Sequence, residues 1–510
     1  MTGTMTDAMT AAAVETTLHP LPVVVVLVSL LAGLAIAVLG EQRQRLRTVL
    51  NLSAAVVKLA LVLWIALLVA GGVVPEFRFA LVPGFDLVLR ADSLSVLFAS
   101  LSAALWLVTT VYAIAYLQHY ANRARFFGYF SICVTATMGI AMAGNLLTFF
   151  VFYELLTLAT WPLVVHTGSR AALRAGRTYL QFTLGGSALF LIGLIWLYAL
   201  AGPQDFIAGG SLQLLDLEAV TSMQAIFVLI AIGMGVKAAL VPLHAWLPSA
   251  MVAPAPVSAL LHAVAVVKAG AFGLVRLVED VYGSALSGAL GLSLALAIAA
   301  SFTIVYGSVL ALLQTDLKKR LAYSTVSQVS YIALGIAIGG PLATVGGMVH
   351  LVHQGVMKIT MFFCAGIFAT LLGVTRIVEL DGLARRLPWS AAAFSVAALG
   401  MIGLPPMAGF VSKWYLGSGA VAMGQTWVVA VLVASTLLNA GYFLPLIARM
   451  WFRPAPERWT GGAQPSRWVV AGLVAPALAT AGLTIAFGVL AGSTYSPLDW
   501  AIAIVREYLP

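Results

Sequence analysis

Apolar runs about twenty residues long recur between residues 22 and 492 of this 510-residue chain, and that is the length a helix needs to cross the hydrocarbon core of a bilayer. Nothing else in the sequence constrains the fold as strongly. With 62% hydrophobic and only 9% charged residues, the chain lies outside the range of soluble globular proteins. The weak alternation of transmembrane strands is absent, which leaves a helical bundle. About fourteen spans can be counted. They include residues 22–39, 50–73, 126–143, 145–165, 179–201, 285–313, 342–372, 427–450 and 468–490, with a third span following a helix-capping Asp92. The predicted fold class is an all-α polytopic membrane protein.

The net charge of +9 does not point to nucleic acid, because the basic residues are scattered in short loops. Residues 43–47, 123–125, 170–177, 318–320, 376–386 and 449–467 hold most of the arginines, and these loops fall on one side when spans alternate. The bias of Lys and Arg towards the cytoplasm makes that side the inner one. The opposite loop, residues 202–220, carries Asp205, Asp216 and Glu218. Both termini are therefore expected outside, with the lipid bilayer as surroundings. The first twenty residues lack a basic leader region and a clear cleavage site, so the first apolar run reads as a retained helix. Cys133 and Cys364 are isolated within spans, so neither a disulfide framework nor a zinc or iron–sulfur motif is readable. No cofactor or metal is expected. The absence of a Gly-rich phosphate loop disfavours an ATP-driven pump.

Chemistry concentrates in residues 232–270, which place Lys237, His244, His262 and Lys268 in apolar surroundings and break the seventh helix around Val241 and Pro242. Ionisable groups at membrane depth are functional suspects, and irregular backbone there needs protein or water as partner. Glu154 lies about nine residues into helix 5, the one clearly mid-membrane carboxylate. Helix 10 shows Ser324, Ser327, Gln328 and Tyr331 on one face, suited either to inter-helix bonding or to a wetted path. Helix 11 has His350, Gln354 and Lys358 four residues apart, and Gly355 among them suggests local unwinding. Helix 12 breaks at 403–406 and then carries Lys413. Left facing lipid, Glu154, Lys237, Lys268, Lys358 and Lys413 would together cost roughly 12–18 kcal/mol on the lenient insertion scale. They must face one another or water.

A row of this kind suits proton transfer, with a Glu154–Lys237 pair as switch: closed, it holds the proton; opened, it passes the proton on. Static readings stand beside this one. Lys237 and Lys413 could satisfy carbonyls freed at the breaks, Glu154 and Lys268 could be ion-pair members, His262 could pair with Ser258, and Lys58 in helix 2 could snorkel or pack. His119 and His166, beside arginines, read as interfacial. The two broken helices, five spans apart with a lysine near each break, point to a repeat inverted across the membrane, the usual setting of a transporter's working site. The expected division is helices 1–3 in residues 1–125, a first five-helix repeat in 126–280, a second in 281–452, and helix 14 with its tail in 453–510.

The runs HAWLPSAMVAPAPVSALLHAVAVVKAG, DLKKRLAYSTVSQVSYI and GLPPMAGFVSKWYL closely resemble the antiporter-like subunits shared by respiratory complex I and Mrp-type cation/proton antiporters. The resemblance covers about residues 92–453. It implies fourteen core helices, inverted five-helix repeats, discontinuous helices 7 and 12, and a chain of charged residues that conducts protons. It assigns Glu154 and Lys237 to the switching pair, Lys268 to the central relay and Lys413 to the terminal position; His262, His350 and Lys358 are relay candidates from their placement in the spans alone. The D-type component of Mrp antiporters is the nearest likeness, since the chain stops soon after helix 14 and has Lys413 where the middle complex I subunit usually has glutamate. In helix 11, Gln354 stands where the family often has histidine, and His353 is displaced by one. The implied function is proton translocation within an inner-membrane Na⁺ or K⁺/proton antiporter, together with other membrane subunits. The alternatives are the pumping arm of complex I or a membrane-bound hydrogenase, and the membrane partner of an inorganic-carbon uptake complex. No bond is made or broken by the chain alone.

Overall fold

In a computed structural model, residues 15–212, 219–456, 459 and 466–509 are described. Asp216, Glu218 and the first fourteen residues, which bear on the acidic loop and on the absence of a leader, lie outside the described residues. Among the described residues, thirteen helices are long and apolar enough to span a membrane, and a fourteenth is built from two shorter pieces. In order, helices 1–7 are Leu21–Leu39, Gln44–Ala70, Ser93–Tyr116, Arg123–Ala141, Leu146–Val164, Arg170–Ala201 and Val220–Ala238. Helices 8–11 are Ala255–Tyr282, Leu292–Leu313, Leu317–Ile338 and Pro341–Leu372. Helix 12 comprises Pro388–Ile402 and Ala408–Ala422, and helices 13 and 14 are Trp427–Phe452 and Arg467–Val489.

Helix 9 follows helix 4 after five helices, an odd number, which is the parity an inverted repeat requires. Both interruptions occur at the expected prolines. Helix 7 stops at Ala238, Ala239 takes a left-handed conformation (φ 58°), and a short helix resumes at Trp246–Ser249. Gly403 (φ 93°) ends the first half of helix 12. The Asp92 side chain accepts from the Ser95 N–H, as a cap should.

The bundle is centred on helices 8 and 10. In helix 8 the most apolar eighteen residues are 100% buried, against 33% for helices 2, 6 and 13, which lie on the outside of the bundle. Gly270 allows this central packing: a Cβ there would run into the Ala238 backbone at the broken end of helix 7.

Four details differ from the sequence reading. Helix 11 does not unwind at Gly355. The glycine instead admits a close approach, since a Cβ would meet the Ala263 carbonyl and a Leu101 methyl, each at 3.2 Å, and small residues at such interfaces serve packing. The irregular backbone lies in helix 8, which widens into turns of π-helix at Leu260–Val264 and Arg276–Tyr282 and bends at Ala265 (φ −120°, ψ −84°). Helix 9 is preceded by a separate turn, Ser284–Ala289, ended by Gly291. The all-α description also gains a small sheet: β1 (Glu15–Leu18) pairs parallel to β2 (Val73–Val82), which pairs antiparallel to β3 (Phe85–Arg90). Charge holds that sheet to the loop after helix 6, because Arg90 reaches Glu76 (2.6 Å) and Asp205 (3.2 Å).

After helix 14, the helix Pro497–Tyr508 lies on the same face as the sheet. Trp500 donates to the Ser93 carbonyl (2.8 Å), and Ser93 donates to Glu507 (2.6 Å).

Candidate functional site

The break in helix 7 leaves the last carbonyls of that helix without intrahelical donors. Trp246 Nε1 donates to the Val236 carbonyl (2.8 Å) and the Leu240 N–H to the Gly235 carbonyl (2.9 Å). Lys237, wholly buried in the last turn, turns instead to helix 5. Its ammonium donates to the Tyr153 carbonyl and sits 3.3 Å from the centroid of the Tyr153 ring. That ring is fixed by its hydroxyl, which donates to the Gly233 carbonyl (2.9 Å).

Glu154 is the next residue along helix 5, and its carboxylate accepts from the Ser187 hydroxyl of helix 6. The expected pair is thus brought into one neighbourhood but not closed, with each member on another partner. In the sequence Ser187 follows Gly185 and Gly186 and reads as one of three small residues suited to close helix packing, although its hydroxyl is a legible signal.

Lys268 is also wholly buried and crosses to helix 11, donating to the Leu351 carbonyl (2.7 Å). The neighbouring His350 places Nδ1 2.8 Å from the Ser412 hydroxyl in helix 12. The residue after Ser412 is Lys413, whose ammonium donates to the Ile402 carbonyl (2.7 Å), the Met401 carbonyl (3.2 Å) and the Thr436 hydroxyl (3.2 Å). The helix-12 break frees those two carbonyls. Lys268, His350, Ser412 and Lys413 therefore form a sequence of neighbours from helix 8 to helix 12.

Lys358 stands off this line. It donates to Ser324 (2.9 Å), which also receives the Tyr442 hydroxyl (3.1 Å) from helix 13. The polar face of helix 10 divides accordingly: Ser324 serves Lys358, Ser327 bonds Ser308 of helix 9 (2.8 Å), and the Gln328 side chain reaches the Met401 carbonyl (3.5 Å) that Lys413 also uses. Tyr331 lies beneath Lys413, its ring centroid 5.5 Å from the ammonium. Tyr442, Ser412 and Thr436 do not stand out in the sequence, where nothing separates them from other polar residues of apolar spans.

Two expectations are corrected. His262 does not pair with Ser258, whose hydroxyl donates back to the Pro254 carbonyl (3.4 Å). Within the widened turn His262 stacks on Phe362 (4.4 Å between centroids), and neither ring nitrogen has a protein partner. Nor does Lys58 snorkel, because it is fully buried and donates to Ser29 of helix 1. His353 and Gln354 in helix 11 also have unpartnered polar atoms. Buried groups of this kind call for water, and they lie on helices 8 and 11.

Residues 143–439 match the family described as NADH:quinone oxidoreductase/Mrp antiporter, transmembrane. The chain belongs to that family. It is 37% identical over 381 residues to an NADH-quinone oxidoreductase subunit N from Desulforudis audaxviator, covering 74% of this chain and 75% of the relative. It is 27% identical over 407 residues to the D-type component of the Na⁺/H⁺ antiporter of Bacillus subtilis, covering 79% and 80%. Among solved structures, a chain of the Mrp complex from Dietzia sp. superposes with a TM-score of 0.83 at 25% identity, covering 96% of this chain and 97% of that one. The matched region holds Glu154, Lys237, Lys268, His350, Lys358 and Lys413.

Proposed function

We propose that this chain is a proton-translocating subunit of a multi-subunit cation/proton antiporter, and that protons pass along Glu154, Lys237, Lys268, His350 and Lys413, with His262 and Lys358 as side members. One observation carries the reading: the buried Lys237 and Lys268 and the half-buried Lys413 are each held by a backbone carbonyl of another helix or a broken helix end, and none by a carboxylate. A static ion-pair network would set a carboxylate against each ammonium. An ammonium on a carbonyl can give up its proton without leaving an unpaired buried carboxylate.

Glu154 supplies the one mobile counter-charge. When it leaves Ser187 for Lys237 it holds the proton there, and when it returns the proton is free to move towards Lys268. In this reading the protein lies in the inner membrane with the Arg-rich loops in the cytoplasm, both termini face outward, helices 4–8 and 9–13 act as the two half-channels, and Na⁺ or K⁺ is the exchanged ion. Other membrane subunits complete the path.

A second reading, as the pumping arm of a complex I-like oxidoreductase, is favoured by the 37% identity to a subunit N. The native complex separates the two, because iron–sulfur subunits co-purifying with this chain would place it in the redox class. Proton translocation itself is tested in inverted membrane vesicles. Lys237→Ala or Glu154→Gln should abolish proton-coupled transport while leaving assembly intact, and full transport by either would refute the relay.

A further inference from the structure

Helices 1–4 contain no carboxylate, and their arginines all lie in the first turns of helices 2 and 4. Lys58 is therefore the one charged side chain in the interior of this unit. It stands fifteenth in the 27-residue helix 2, about 21 Å from the start of the helix at 1.5 Å per residue, hence near mid-membrane. It is as deeply buried as Lys237 and Lys268, yet lies outside both repeats and has no place in the row described above.

Its surroundings are unlike a packing contact. The ammonium donates to the Ser29 hydroxyl, Ser29 lies 2.8 Å from Thr135 of helix 4, and the Trp106 ring of helix 3 is 5.1 Å from Nζ. Ser131, one turn before Thr135, leaves its hydroxyl unpartnered, as do Ser102 and the Trp106 indole N–H on helix 3. An ammonium has three donors and here meets one hydroxyl. A hydroxyl, unlike a carboxylate, can either accept from the ammonium or donate to the neutral amine. Buried polar groups without protein partners, on the helices that pack against helix 2, make a site that water can occupy and bridge.

We propose that Lys58, Ser29 and Thr135, with Ser102, Ser131 and Trp106 around them, form a hydrated proton-binding site in helices 1–4 that takes up and releases one proton during turnover. In the release step an Nζ–H bond breaks, its proton passes to water held by the hydroxyls, and the amine keeps the electron pair. Uptake is the reverse. The site rests on the proton-translocating reading given above and adds a protonatable group that the inverted repeats do not supply.

The test uses the native complex reconstituted in vesicles with a pH-sensitive dye, comparing Lys58→Met, Lys58→Arg and Ser29→Ala, with Lys237→Ala as control. Lys58→Met should lower proton-coupled turnover about tenfold in an assembled complex. Lys58→Arg should do no better, since a guanidinium does not deprotonate. Ser29→Ala should shift the pH profile. Wild-type turnover and pH profile in Lys58→Met, or rescue by Lys58→Arg, would overturn the proposal, the latter marking a structural cation. Should Lys58→Met fail to assemble, Ser29→Ala decides, and an unshifted profile overturns the proposal. If Lys237→Ala is inactive while the Lys58 variants work normally, only this inference fails. If Lys237→Ala is fully active, the relay reading fails with it.

Discussion

The hydroxyl of Ser187 is the smallest part of the proposed switch that can be removed without touching a charge. It donates to Glu154, while Lys237 is held on the Tyr153 carbonyl and ring. A hydrogen bond to a charged group is worth about 1.5–3 kcal/mol. Ser187→Ala takes that stabilisation from the open arrangement and leaves the closed Glu154–Lys237 pair unaffected. With about 1.4 kcal/mol per tenfold, the balance moves roughly tenfold to a hundredfold towards the closed pair. The proton on Lys237 is then held more firmly, and the step that releases it becomes rarer by the same factor. In inverted vesicles the variant should assemble normally but translocate protons at roughly a tenth of the wild-type rate or less. Ser187→Thr, which keeps a hydroxyl, should restore much of the rate. Wild-type turnover in Ser187→Ala would show that the open pair does not depend on Ser187, and the switching argument would fall.

At the far end, Lys413→Glu replaces a donor to the Ile402 and Met401 carbonyls with an acceptor; coupling should change in its pH dependence rather than merely weaken, and an unchanged transport profile would count against a gating role. Asp92 tests the C-terminal end of helix 8, where it caps helix 3 and pairs with Arg276 (2.8 Å). Burial alone would push its carboxyl up, but the Arg276 guanidinium and the Ser95 N–H outweigh burial and hold it below the ordinary carboxylate range. A carboxyl depressed in the folded state stabilises above its unfolded pKa, and that contribution is lost as pH falls through the folded value. Asp92→Ala should destabilise by about 1 kcal/mol for the cap plus roughly 1.5–3 kcal/mol for the charged bond, read as a lowered melting temperature in detergent at neutral pH. The deficit should shrink in acid, and Asp92→Asn, which keeps a cap, should lose less.

The fold was legible because its period is coarse. Fourteen spans, their alternation and both proline breaks follow from runs of about twenty apolar residues and from arginine-rich loops, which no local rearrangement can disguise. The distortion of helix 8 was not legible: Ala265 lies among small and branched apolar residues, without proline or glycine, that an ordinary helix would also accept. Gly355 misled for the opposite reason. A mid-helix glycine marks either a weak turn or a close approach, and only the neighbouring Ala263 and Leu101 decide which. Within the site, the lysines stood out by their charge, whereas Ser187, Ser412 and Tyr442 are ordinary polar residues until their partners are known. The small sheet is not legible because its strands lie directly beside apolar spans and β2 (Val73–Val82) runs on from the apolar end of helix 2 with no regular alternation.

The lysines' choice of acceptor bears on how such a conductor can be studied. Every residue offers a carbonyl whatever its side chain, so the stations at Tyr153, Leu351, Ile402 and Met401 survive replacement of those residues by almost anything that keeps the helices in place. Side-chain scanning will therefore register the donors and pass over half of the path. The receiving half can be probed only by altering the main chain itself, for example with ester linkages that weaken one carbonyl at a time.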